Sequence, residues 1–77
     1  MAALEELDCK RLNCPMPIVK ISKAIRALKV GEQLRVEATD PAFLADVQAW
    51  TERMGQRLDK TEDSGPVKVA LITKVKA

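Results

Sequence analysis

The sequence predicts an α/β (α+β) fold: a two-layer sandwich in the order β-α-β-α-β-β, with a mixed four-stranded sheet and two helices on one face. Three observations carry this expectation. Between Pro15 and Lys29, apolar Ile18, Ile21, Ala24/Ile25 and Leu28 recur at helical spacing. Val67 to Thr73 is a β-favouring run whose Ala70-Leu71-Ile72 centre suits an interior strand. Thr39-Asp40-Pro41 has the form of a helix start, a capping side chain followed by proline at the first helical position. Right-handed β-α-β crossovers then put both helices on the same side of the sheet.

Leu4 to Asp8 is read as a short first strand, and Cys9 to Asn13 as a polar connection. The helix from Pro15 to Lys29 keeps Lys20, Lys23, Arg26/Ala27 and Lys29 on its outer side, and Gly31 suits a left-handed stop after it. Gln33 to Ala38 alternates polar and apolar, as a half-buried strand does. The second helix is expected to bury Leu44, Val47, Trp50 or Thr51, and Met54, with Gly55 ending it. Gln56 to Glu62 is a weaker strand anchored by Leu58, and Asp63-Ser64-Gly65-Pro66 is a turn by composition.

At 77 residues the chain is long enough for one domain, taken as 1–77, and its thin core leaves no room for a deep enclosed pocket. Apolar residues at 47% and charged residues at 31% fit a globular domain rather than a disordered one. No apolar run reaches a membrane span, and the acidic N-terminal stretch does not resemble a secretory signal, so a reducing cytoplasm is expected. The formal net charge of +2 is unevenly spread. Lys10, Arg11, Lys20, Lys23, Arg26 and Lys29 fall between Cys9 and Gly31 with no acidic residue among them. The rest of the chain holds seven basic and eleven acidic residues.

Histidine is absent, which removes Cys–His and Ser–His–Asp catalysis and histidine-ligated zinc. Two cysteines alone do not fill a zinc site, and no cofactor or metal is expected. Attention falls on Cys14, in Cys14-Pro15-Met16-Pro17 at the start of the first helix. With Pro15 at the first helical position, the thiol lies at or beside the N-cap, where the helix dipole favours thiolate. Pro15 and Pro17 have no N–H, which leaves those of Met16 and Ile18 to face an anionic sulfur. The competing reading is that Cys14 is a small buried hydrophobe. Pro17 occupies the position that a Cys-x-x-Cys redox pair requires, and so excludes that motif.

Asp8-Cys9-Lys10-Arg11-Leu12-Asn13-Cys14-Pro15-Met16-Pro17 resembles the signature of the TusA-like (SirA-like) sulfur-carrier family. Lys23, Ala24 and Leu28, then Gly31-Glu32, Thr39-Asp40-Pro41, Asp46, Trp50 and Gly55, extend the similarity over nearly the whole chain. The resemblance implies the same two-layer sandwich. It also implies a carrier that holds sulfur as a persulfide on Cys14; Pro15, Met16, Pro17 and Arg11 are read beside it as the residues that support that site. Sulfur would come from a cysteine desulfurase or rhodanese-like donor and pass to an acceptor sulfurtransferase. Family routes lead to tRNA thiolation, cofactor biosynthesis or sulfur oxidation. Such a protein is a shuttle that needs partner enzymes rather than a self-sufficient catalyst.

Arg11 stands where the family usually has glycine. If that position takes a positive φ, Arg11 is strained there; otherwise the loop has another shape and Arg11 supports an anionic sulfur. Cys9 is read as an incidental or partly buried thiol, with a resolving role against a Cys14 persulfide as the alternative. Lys10, Lys20 and Lys23 are read either as a solvated face or as a docking surface for acidic partner proteins. A monomer is expected. The rival functions are an RNA-binding module, for which Phe43 and Trp50 supply few stacking surfaces, and a thiol-redox regulator built on Cys9 and Cys14.

Overall fold

A computed structural model of the chain describes residues 4–13 and 15–76, except the side chain of Ser64. Its elements are β1 Leu4–Cys9, α1 Met16–Ala27, β2 Gln33–Ala38, α2 Phe43–Met54, β3 Arg57–Ser64 and β4 Val67–Thr73. The strands lie in the order β1-β2-β4-β3. β1 runs parallel to β2, while β4 is antiparallel to both β2 and β3. The mixed sheet and element order are those the residue pattern predicts, and β4 holds the interior place that Ala70-Leu71-Ile72 suggests.

Alternation sorts the strands into two faces. Leu34, Val36 and Ala38 of β2 pair with Glu5, Leu7 and Cys9 of β1 and with Ile72 and Ala70 of β4. Apart from the exposed Glu5, these positions carry the strand contribution to the core. Ile21, Ile25 and Leu28 from α1 and its end, and Phe43, Val47 and Trp50 from α2, close over it. The Trp50 indole donates to Ser22 Oγ at 3.1 Å, which joins the two helices through the one polar atom that the ring carries. Arg35, Glu37, Val69 and Leu71 face the other way.

Several boundaries differ from the sequence reading. β1 continues through Cys9, which is wholly buried rather than part of a polar connection. α1 ends at Ala27, with Leu28 already extended. Gly31, at φ +96°, is not the helix stop; it forms the turn that leads into β2 and donates to Lys74 O at 2.7 Å. What closes α1 instead is Lys74. Its Nζ donates to Ile25 O at 2.8 Å and Leu28 O at 2.7 Å, placing a cation on the negative end of the helix.

α2 begins at Phe43, two residues after Pro41, because Asp40 folds the chain into a preceding turn. Asp40 Oδ1 accepts from Ala42 N at 3.1 Å, and Asp40 O accepts from Phe43 N at 3.0 Å. Gly55 ends α2 in the left-handed conformation, as its place predicts. Met54 is 48% exposed, not buried, although Trp50 one turn earlier is 4% exposed. Asp63 and Ser64 belong to the β3 ladder, which leaves Gly65-Pro66 as the connection to β4.

Asp59 is the extra residue of a β-bulge, since the β3–β4 register passes from Leu58–Ile72 directly to Lys60–Leu71. The bulge aims its carboxylate at Thr73 Oγ1, Gln33 Nε2 and Arg57 Nε. Burial acts to raise the Asp59 pKa. The hydrogen bonds from Thr73, Arg57 and Gln33, together with the Arg57 charge, outweigh it and hold the carboxyl below its ordinary value.

Candidate functional site

β1 and β2 are parallel neighbours, so the loops leaving them emerge at the same end of the sheet, the usual place for a site in open α/β sheets. Residues 10–13 follow β1 on the way to α1, and 39–42 lead from β2 into α2. They are tied together: Arg11 N donates to Thr39 Oγ1 at 3.0 Å. Thr39 was expected only to mark a helix start, and its hydroxyl turns out to anchor the loop of interest.

The first loop opens with a turn in which Leu12 N donates to Cys9 O at 3.2 Å and Lys10 N donates to Asp8 Oδ1 at 2.9 Å. Arg11 sits third in that turn with φ +68°, and it is the one non-glycine residue at positive φ among those described. This is the position that a type II turn reserves for glycine or asparagine. The strained alternative of the sequence reading therefore holds. An L-residue in this region costs about 1–2 kcal/mol, partly offset because glycine loses more chain entropy on folding. Arg11→Gly keeps the backbone bond to Thr39. It is expected to stabilise the fold by about 1 kcal/mol, seen as a Tm rise of roughly 4–8 °C. An unchanged or lowered Tm would mean that the arginine side chain contributes more than the strain it imposes.

Cys14 itself lies outside the described residues; Asn13, Pro15 and Met16 beside it are described. Asn13 O accepts from Met16 N at 2.8 Å. One of the two N–H groups that the sequence reading assigned to the sulfur is thus engaged within the loop. Pro15 occupies the N-cap position, at φ −97° and ψ 13°, rather than the first helical position. Met16 and Pro17 follow as the first two helical residues; Met16 is exposed and Pro17 is buried. The first turn of α1 carries no acidic side chain and no side-chain cap, so its positive end is not neutralised from within the helix.

The remaining site candidates separate clearly. Lys20 and Lys23 are exposed on α1 and reach no carboxylate among the described residues. Lys10 differs from them: its ammonium lies 3.9 Å from Asp8 and 3.8 Å from Glu37, so its charge is shared with two acids. That pairing takes Lys10 out of the uncompensated basic surface. Cys9 is a core residue at the end of β1. Burial pushes its thiol pKa up; the Lys20 charge counteracts this, and Asp8 adds to it. No helix in the described residues is long and apolar enough to cross a membrane. Among them no cluster of His, Cys, Asp and Glu could hold a metal ion.

The family model described as Sulfurtransferase TusA matches residues 5–74. The sulfur carrier protein TusA of Allochromatium vinosum is 38% identical over 61 residues, covering 79% of this chain and 80% of that protein. YrkF of Bacillus subtilis is 45% identical over 67 residues, which span 87% of this chain but 36% of YrkF. A relative from Aquifex aeolicus is 37% identical over 68 residues and is likewise much longer, the match covering 34% of it. The crystal structure of a SirA-like protein from Desulfitobacterium hafniense superposes with a TM-score of 0.79 at 22% identity, over 95% of this chain and 99% of that one. That likeness is one of fold.

Proposed function

The chain belongs to the TusA sulfurtransferase family, and from that premise we propose that it carries sulfur as a persulfide on Cys14. The names of its relatives support a sulfur-carrier role. What supports Cys14 as the carrier is the burial of the other cysteine. The chain has two, and Cys9 is 0% exposed with its thiol pKa raised. A thiol in that state is a poor nucleophile and is out of a partner's reach.

In the loading step the Cys14 thiolate attacks the outer sulfur of a donor persulfide. A new S–S bond forms on Cys14, the donor S–S bond breaks, and the donor leaves as thiolate. Delivery reverses these roles: an acceptor nucleophile takes the outer sulfur and Cys14 leaves as thiolate. No histidine is needed, because neither step requires a strong base once the thiol is ionised. The uncompensated start of α1 favours the anionic forms. The bond between Arg11 and Thr39 and that between Met16 and Asn13 hold the flanking chain in place. Lys20 and Lys23 on the next turns suit acidic donor and acceptor surfaces, with a cysteine desulfurase or rhodanese-like protein as donor and a sulfurtransferase as acceptor. The RNA-binding alternative is weakened by the burial of Phe43 and Trp50, the chain's only aromatic residues.

The test is incubation with a cysteine desulfurase, cysteine and reductant, followed by intact mass. The parent protein and Cys9→Ala should gain one sulfur atom, and Cys14→Ser should gain none. Alanine is the right replacement at position 9 because serine would bury a hydroxyl in the core. Loading that survives in Cys14→Ser, or is lost in a folded Cys9→Ala, would overturn the assignment.

A further inference from the structure

A concavity lies toward the C-terminal end of α1. It has a volume of about 160 Å³ and is formed by α1, α2 and the segment after β4. Ile25 and Trp50 contribute apolar surface, Met54 stands at its edge, and its charged residues are Arg26, Lys74 and Lys76. All three are cations.

Two features set this notch apart from an ordinary surface dimple. The first is its unbalanced charge. Lys74 is satisfied by the α1 carbonyls, but Arg26 and Lys76 reach no carboxylate among the described residues. The Lys76 stem lies over Gly55, where an added Cβ would come within 3.2 Å of Lys76 Cδ and 3.8 Å of Nζ. The second is Met54. It continues the core stripe of α2 one turn beyond Trp50, yet it is 48% exposed. Apolar surface in register with the core is left uncovered beside two cations that have no carboxylate partner among the described residues.

Size narrows the occupant. Ligand pockets for cofactor-sized molecules run from about 300 Å³ upward, whereas about 150 Å³ accommodates a benzene-sized group. The notch therefore takes one side chain, not a cofactor.

We propose that this notch docks an acidic segment of a partner protein, which inserts one aliphatic side chain between Trp50 and Met54 while its carboxylates meet Arg26 and Lys76. The inference does not depend on sulfur chemistry at Cys14. Arg26 lies about 15 Å along α1 from Met16, at 1.5 Å per residue. A partner held here would leave the Cys14 loop open to a second protein.

Trp50 is the chain's single tryptophan, so its fluorescence reports the notch directly. The probe is the peptide acetyl-Glu-Asp-Leu-Asp-Glu-amide, titrated into the full chain and into the Cys14→Ser variant. A saturable change in Trp50 emission is expected in both, with amide shifts centred on α1 near Arg26 and on 74–76. Arg26→Glu and Met54→Asp, both exposed positions, should stay folded by circular dichroism and weaken binding about tenfold. Any of three results would overturn the proposal: no saturable change, an equal response to acetyl-Lys-Lys-Leu-Lys-Lys-amide, or unaltered binding by folded Arg26→Glu. An equal response to 4-methylpentanoate would also overturn it, by identifying a small-molecule site in place of a protein-docking one.

Discussion

Lys74→Met is expected to lower the stability of the fold by about 2–3 kcal/mol, seen as a fall in Tm of roughly 10–20 °C. Lys74 is 8% exposed, and its ammonium donates to two carbonyls at the end of α1. It has no carboxylate partner among the described residues, so the negative pole of the helix acts as its counter-charge. Methionine matches the length of the stem and offers no donor. Leu28 O then loses its ammonium donor, and Ile25 O keeps only the N–H of Leu28. Removing a buried cation returns some desolvation energy, which is why the net loss falls below the sum of two charged hydrogen bonds. For a chain of this size, whose whole stability is about 4–12 kcal/mol, the loss is large. Urea unfolding decides the matter: a midpoint close to that of the parent protein would show that the α1 carbonyls find another donor.

The second large effect belongs to Asp59 and carries a pH signature. Asp59→Asn is expected to cost about 1–2 kcal/mol at neutral pH, less than a fully buried charged network because the side chain is 21% exposed. The folded carboxyl titrates below its unfolded value, since the bonds from Thr73, Arg57 and Gln33 outweigh the effect of burial. Its contribution is therefore fully present above the unfolded pKa of about 3.9 and is lost as pH falls through the lower folded value. The stability gap between the parent protein and Asp59→Asn should be widest near pH 6–7 and close progressively below about pH 4. A gap that stays constant down to acid pH would show that the carboxylate charge is not what holds the bulge.

Much of this architecture could be read from residue pattern because the apolar periods are clean. Ile21, Ile25 and Leu28 mark the buried side of α1, and Leu34, Val36 and Ala38 alternate along β2. Glycine and proline placed the turns to within a few residues. What escaped was long-range. Nothing local tells that Lys74 closes a helix nearly fifty residues earlier, or that the Thr39 hydroxyl anchors the turn at Arg11. The bulge at Asp59 likewise appears only once β3 is laid against β4. Met54 obeys the helical period yet stands at the edge of an open notch and is 48% exposed, so periodicity alone did not give its burial.

The site was legible in a different way. Cys14-Pro15-Met16-Pro17 is a local motif, and a glycine-like demand at position 11 was visible as a departure from the family's usual residue. The φ of +68° at Arg11 supplies the physical reason for that usual glycine. Cys9, by contrast, lies in β1 and is wholly buried, a placement that no local motif in the sequence marks.

A carrier role for Cys14 requires unequal access to the two thiols, which timed alkylation of the native protein measures directly. Iodoacetamide at neutral pH, followed by peptide mapping, should label Cys14 within the first time points and leave Cys9 unlabelled until denaturant is added. Native labelling of Cys9 at a comparable rate, or a Cys14 that reacts only after unfolding, would contradict it.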